Sequence, residues 1–318
     1  MSTLVTGSAG HLGEALMRTL RAEGLPVRGI DRLPSPWTDR VGDIADPAFV
    51  CDAMAGITQV LHTATLHKPH VESHPRQAFV DTNITGTLNL LEAAAAEGVS
   101  AFVFTSTTSA FGAALRPPPG APAVWVDESL RPVVRNIYGA TKTAAEDLCE
   151  LMHRLHGLPV IVLRTSRFFP EDDDEPQARQ RWSQDNLQAN ELLHRRVDLE
   201  DVVEAHRVAL REAGRIGHGR FIVSATTPFL PEDCAALGRD AAAVLRLRVP
   251  GWEGIYARHG WTPPGTLDRV YDNRAAREVL GWQPRIDFAA ALARLEATGE
   301  LRSPLARLIG QKGYHRAG

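Results

Sequence analysis

The stretch TGSAGHLG at Thr6–Gly13 restricts the possible folds of this chain more than any other. It follows a short apolar run, Leu4–Val5, that reads as a buried strand. Behind it, Leu12, Ala15, Leu16, Thr19 and Leu20 recur at helical spacing, which predicts a helix lying on a sheet. Strand, glycine turn and helix in that order make a site for a pyrophosphate. Gly7 permits the tight turn, Gly10 lets the backbone approach the phosphates, and Gly13 lets helix and strand pack closely. The phosphates then meet the N–H groups at the helix N-terminus, where His11 and Leu12 stand. The spacing is G-x-x-G-x-x-G rather than the commoner G-x-G-x-x-G.

Pro26–Ile30 predicts a second strand ending at Asp31, eighteen residues beyond Gly13. An acidic side chain at that distance reaches the adenosine ribose. It accepts from both hydroxyls of NAD and repels the 2′-phosphate of NADP, whereas Arg32 beside it suits that phosphate. A short helix near Pro47–Met54, a strand Ile57–Thr63 and a long helix Arg76–Glu97 follow. Then come a strand Ala101–Ser106, a Pro-rich loop Pro117–Pro122, a helix Tyr138–His156 and a strand Val160–Arg164. A helix around Val202–Glu212 and a strand Arg220–Ser224 return the chain to the sheet, making six strands. This alternation predicts an α/β fold, a doubly wound parallel Rossmann sheet with a small, mostly C-terminal substrate-binding lobe. Residues 1–164 plus about 196–224 would bind the dinucleotide, and about 165–195 plus 225–318 would form the lobe. The last clear helices of the lobe are expected at Asn273–Leu280 and Phe288–Ala297. The acidic run EDDDE at 171–175 reads as a solvated loop.

Composition excludes several classes. With 318 residues, 44% hydrophobic and 23% charged, the chain has the make-up of a soluble globule. A net charge of −3 gives no electrostatic reason for nucleic acid or an anionic membrane as partner. No apolar run approaches the roughly 18 residues needed to span a bilayer. The chain enters a strand at once, with no room for a signal peptide, and Cys51, Cys149 and Cys234 are few and far apart. Reduced thiols in a cytoplasmic protein are the expectation. His67, His70 and His74 invite a metal reading, but Pro69 and Pro75 break the helix that would align them, and no metal is expected. A ligand-binding loop after a strand end suits them better.

Tyr138 and Lys142 are four apart on one predicted helix, so their side chains share a face. A phenol of pKa near 10 must fall by about three units, ~4 kcal/mol, to serve as a base at neutral pH. A neighbouring Lys⁺ and a positive nicotinamide ring would supply that. The hydroxyl-rich strand end at Thr105–Ser109 offers a group to hold a substrate oxygen beside the tyrosine.

Together these motifs resemble the extended short-chain dehydrogenases/reductases, the NAD-dependent epimerase/dehydratase group. The resemblance extends through HTAT at 62–65, NITGTLNLLEAA at 83–94, FTSTTSAFG at 104–112 and YGATK at 138–142. It continues in RVDLEDVVEAH at 196–206 and DNRAAREVLGWQP at 272–284. It implies NAD as cofactor, with Asp43 and Ile44 on adenine and His62, Ala64 and Asn83 lining the cofactor. It makes Thr107, Tyr138 and Lys142 the catalytic triad, Lys142 also gripping the nicotinamide ribose. His67, Thr108 and Arg167 are the candidate substrate contacts. Family members commonly dimerise through the helices corresponding to 76–97 and 138–156, so a homodimer is expected.

Three departures refine the expectation. Family dehydratases carry an Asp-Glu pair after the catalytic Thr, where this chain has Thr108 and Ser109, which argues against dehydration. Members acting on nucleotide sugars usually have Asn where Arg167 stands, a residue suited to a phosphate or carboxylate. The run RTSRFFPE with RWS at 181–183 is similar to uronate dehydrogenases of the family, whereas the long C-terminal lobe looks like an epimerase's. The expected function is an NAD-dependent epimerase or dehydrogenase acting on a secondary alcohol of a sugar, sugar acid or nucleotide sugar. The rival is a non-catalytic NAD(P)-sensing protein on the same fold.

Overall fold

The structure, a computed structural model, describes residues 2–170 and 180–312. The acidic run at 171–175 therefore lies outside the described residues. The strands are β1 (Thr3–Thr6), β2 (Val27–Asp31), β3 (Arg40–Val41), β4 (Gln59–His62), β5 (Ala101–Thr107), β6 (Val124–Val126), β7 (Val160–Thr165), β8 (His218–Val223) and β9 (Arg269–Tyr271). Seven of them form one parallel sheet in the order β3-β2-β1-β4-β5-β7-β8. Within this sheet the two-residue β3 was not expected, and neither were the three-residue β6 and β9 outside it, because such short segments have no periodicity to read. Chain order reverses beside β1, which pairs with β2 on one side and β4 on the other. Ligands of open α/β sheets bind at the carboxyl ends of strands at such a switch point.

The first helix, His11–Ala22, buries Leu12, Ala15, Leu16 and Leu20 as expected. Met17 is buried where Thr19 was expected, and the Thr19 hydroxyl donates instead to the Ala15 carbonyl at 2.9 Å. The helix expected over Arg76–Glu97 is interrupted by a π turn at Val80–Thr85 between Arg76–Phe79 and Gly86–Ala96. Such turns re-aim side chains and recur at functional sites. The helix carrying the Tyr-Lys pair runs Ile137–His156 and is capped by Asn136, whose side chain accepts from Gly139 N–H at 2.9 Å.

A parallel pair, β6 with β9, ties the segment after the Pro-rich loop to the C-terminal part of the chain. Around it Leu192, Leu237, Leu245, Trp252, Tyr256, Phe288 and Leu292 form a separate apolar cluster. Ala276, Leu280, Trp282, Ala306 and Ile309, which the expected division gave to the lobe, pack instead with Leu16, Leu163 and Val202 against the main sheet.

Candidate active site

A cleft of about 880 Å³ opens along the carboxyl ends of β1, β2, β4, β5 and β7. At its floor the glycine turn is sterically obligatory. Gly7 has φ +72°, and a Cβ there would stand 2.8 Å from the Ala64 backbone. A Cβ on Gly13 would stand 1.9 Å from the Gly7 carbonyl oxygen. Gly10, the N-cap of the first helix, offers no side chain to cap it. The leading N–H groups of that helix are thus available to an anion, as a dinucleotide cofactor requires. Asp31 closes the turn, accepting from Ala9 N–H at 3.0 Å and Leu33 N–H at 2.9 Å while lining the cleft.

Gly7, Gly10, His11, Leu12, Gly13, Asp31, Ile44 and Ala64 all line this cleft, as do Thr107, Tyr138, His67, Thr108 and Arg167. Asp43, His62, Asn83 and Lys142 do not line it. Asp43 turns to Arg32, at 3.4 Å, and accepts from Ala45 N–H at 2.9 Å. His62 is buried behind the turn. Its Nδ1 accepts from the Thr6 hydroxyl at 2.8 Å, and its Nε2 donates to the Thr87 hydroxyl at 2.9 Å. That assignment follows because Thr87 donates to the Asn83 carbonyl, and Thr6 receives the N–H groups of Thr63 and Ala64. Burial holds His62 neutral, its pKa well below the usual histidine range. Asn83 is likewise saturated. It donates to Leu66 O and Thr141 Oγ1 and accepts from Leu66 N–H and the Thr65 hydroxyl. Both residues brace the loop that borders the cleft. Thr82, beside Asn83 in the π turn, lines it.

Tyr138 and Thr107 both line the cleft and are buried, the Thr107 hydroxyl accepting from Ser109 N–H at 3.0 Å. Burial pushes the Tyr138 phenol up to about 12, and the Thr107 side chain offsets part of that rise. A lowered phenol was expected from the charge of Lys142 and the nicotinamide ring; burial dominates instead, and the lysine is turned to a backbone carbonyl. Lys142 Nζ donates to the Thr105 carbonyl at 2.6 Å and lies 4.1 Å from the centre of the Phe104 ring. Burial also lowers Lys142 to about 7, with Glu146 on the next turn pulling it back up. The Thr105 hydroxyl in turn donates to Nε2 of His206, whose Nδ1 donates to the Val202 carbonyl. His206 is neutral, lowered to about 4 by burial.

Away from the turn, Arg167, Arg195 and Arg269 line the cleft, which pattern reading found only at Arg167. Buried Glu191 gathers the first two of these, together with Arg196, while Arg269 pairs with Asp268. Glu191 stands 3.8 Å from Arg167, 2.9 Å from Arg195 and 2.8 Å from Arg196. These cations hold its carboxyl well below the usual range against the cost of burial. His67 stacks on His70 with centroids 4.4 Å apart and faces Phe169 at 5.9 Å. No group of three His, Cys, Asp or Glu positioned to hold a metal occurs among the described residues.

Fold and cleft define a dinucleotide-binding α/β protein in which Tyr138 of a Tyr-x-x-x-Lys helix lines the cleft. The chain belongs to the NAD-dependent epimerase/dehydratase family, whose model matches residues 3–224. It is 33% identical to a 3-beta-hydroxysteroid dehydrogenase of Mycolicibacterium neoaurum, over 91% of this chain and 89% of that one. It is 30% identical to a dTDP-glucose 4,6-dehydratase of Streptomyces antibioticus, over 92% and 91% respectively. A crystal structure of a short-chain dehydrogenase/reductase superfamily protein from Agrobacterium tumefaciens with bound NAD superposes with a TM-score of 0.66 at 25% identity, covering 93% of this chain and 96% of that one. No helix among the described residues is long and apolar enough to cross a membrane.

Proposed function

We propose that the protein is an NAD-dependent dehydrogenase or epimerase that oxidises a secondary alcohol of an anionic sugar derivative. The observation that carries this reading is that Thr107 and Tyr138 line one cleft, which starts at the glycine turn and reaches three arginines. NAD, when bound, supplies the hydride acceptor and a positively charged ring. The glycine turn and helix N-terminus would hold its pyrophosphate, Asp31 its ribose, and Ile44 its adenine. Thr107 would orient the substrate oxygen and Tyr138 would move the proton at that oxygen. Lys142, held by the Thr105 carbonyl, would place positive charge behind the phenol. Asp31 favours NAD over NADP. Arg32 is engaged by Asp43, so it is less suited to a 2′-phosphate.

Arg167, Arg195 and Arg269 favour a carboxylate or phosphate on the substrate, with His67 and Thr108 nearer the reacting centre. Among the described residues Asp31 is the only carboxylate lining the cleft, which supports oxidation over elimination by an acidic pair. A hydroxysteroid substrate is the second reading, favoured by the full-length relative. Intact Thr107 and Tyr138 in the cleft weigh against a purely cofactor-sensing protein. The three cysteines are unbridged, which suits the cytoplasm. A homodimer through the helices 76–96 and 137–156 would cover Leu151 and Leu155, which are otherwise exposed. Sedimentation as a monomer at micromolar concentration would count against that.

Two measurements test the reading. Nucleotide released on denaturation separates an epimerase, which retains NAD(H), from a dehydrogenase purified empty. A panel of sugar acids, nucleotide sugars and 3β-hydroxysteroids is then assayed with NAD and NADP. Turnover of hydroxysteroids alone, or preference for NADP, sinks the anionic-sugar or the NAD assignment respectively.

A further inference from the structure

The sequence offers no reason to connect the end of the chain with the glycine turn, yet the fold brings them together. The helix Pro304–Ile309 is fastened by Ser303, whose hydroxyl donates to Asp198 at 2.6 Å. Ala306 and Ile309 are buried in the same apolar cluster as Leu12 and Leu16 of the first helix. The segment beyond is thereby led to the mouth of the cleft, where Gln311 donates to the Pro170 carbonyl at 3.2 Å. Lys312 lines the cleft together with Gly10, His11 and Gly13. Its ammonium pairs with Glu14 in the first turn of the glycine-turn helix, and Glu14 also takes Arg18 at 2.7 Å.

Glu14 is buried and acidic close to where two phosphate charges would rest, so by itself it opposes their binding. Lys312 and Arg18 reverse that. Two cations against one carboxylate leave a net positive charge beside the helix N-terminus. His11 adds none, because burial and, to a smaller extent, Lys312 lower it to about 3.

We propose that Lys312 is a cofactor-binding residue, delivered by the C-terminal segment to the pyrophosphate of the dinucleotide at the glycine turn. This rests on the NAD reading above. The turn and helix dipole would hold the phosphates, and Lys312, lining the same cleft beside the turn, would add its charge to them.

The test is direct titration of NADH fluorescence and of ADP-ribose by calorimetry, at several salt concentrations, with thermal melting of each protein. Lys312→Met should weaken both ligands about tenfold and flatten the salt dependence of the dissociation constant. Lys312→Arg should bind within about threefold of wild type, and Glu14→Gln should bind more tightly than wild type. A Lys312→Met protein with a lower melting temperature but unchanged affinities and salt slope means the contact is purely structural, and overturns the proposal. Weaker binding by Glu14→Gln overturns it too. Wild-type protein that binds no NADH removes the NAD reading and the proposal with it.

Discussion

Tyr138 and Lys142 sit four residues apart, and burial drives their pKa values apart, the phenol up to about 12 and the ammonium down to about 7. Removing the phenol oxygen is the cleanest probe of their roles. Tyr138→Phe keeps the ring and should leave NADH affinity unchanged while turnover falls about 10²–10⁴-fold. Near-wild-type turnover would refute the assignment of Thr107, Tyr138 and Lys142 together. Lys142 makes a second prediction, on stability. Its folded pKa lies below the unfolded value of 10.5, so between about 7 and 10.5 the unfolded chain binds more protons than the folded one. Stability from this group therefore rises with pH in that window. The melting temperature of the wild type should climb relative to Lys142→Met between pH 7 and 9, and a constant gap would refute the burial of the amine.

The helix Ile137–His156 does two jobs along its length. Its first turns present Tyr138 and Lys142, and its third places Glu146 against Arg164 of β7, 2.6 Å apart and almost fully buried. The Ser106 hydroxyl of β5 also donates to Glu146. This ion pair locks the helix in register with the strand ends that carry Thr105 and Thr107. Glu146→Gln keeps the shape but leaves the Arg164 guanidinium without its counter-charge. We expect a loss of about 3–5 kcal/mol, read from the urea midpoint, with turnover per folded molecule falling far less than in Tyr138→Phe. A loss under about 1 kcal/mol would mean that water reaches the pair.

At the scale of the whole molecule, His11, His62, His194 and His206 are buried and held neutral. Each has a folded pKa below the unfolded 6.5, so the unfolded chain binds more protons as pH falls through 6.5. Stability is lost in that direction, by about 2 kcal/mol per group at pH 5. Asp201, raised to about 6 by burial, and Glu128, which burial also raises, work the other way but are fewer. The melting temperature should therefore drop steeply from pH 7 to pH 5. A flat profile would show that these histidines titrate normally.

Sequence alone determined the parts of this protein that depend on local geometry. Gly7 and Gly13 announce the turn because no other side chain fits there, and Asp31 and the Tyr138–Lys142 pair lie at spacings set by strand and helix. The alternation of apolar strands and amphipathic helices was enough for the parallel sheet. Tertiary structure alone decided what is made by distant segments. It turned His62 and Asn83 inward as braces, aimed Lys142 at a carbonyl, and gathered Arg195 and Arg269 beside Arg167. It also packed residues 276–309 onto the main sheet and carried Lys312 back to the first helix. Spacing along a chain reports which residues share a face of one element. Which faces meet, and which charges are stripped of water, is settled only when the elements pack.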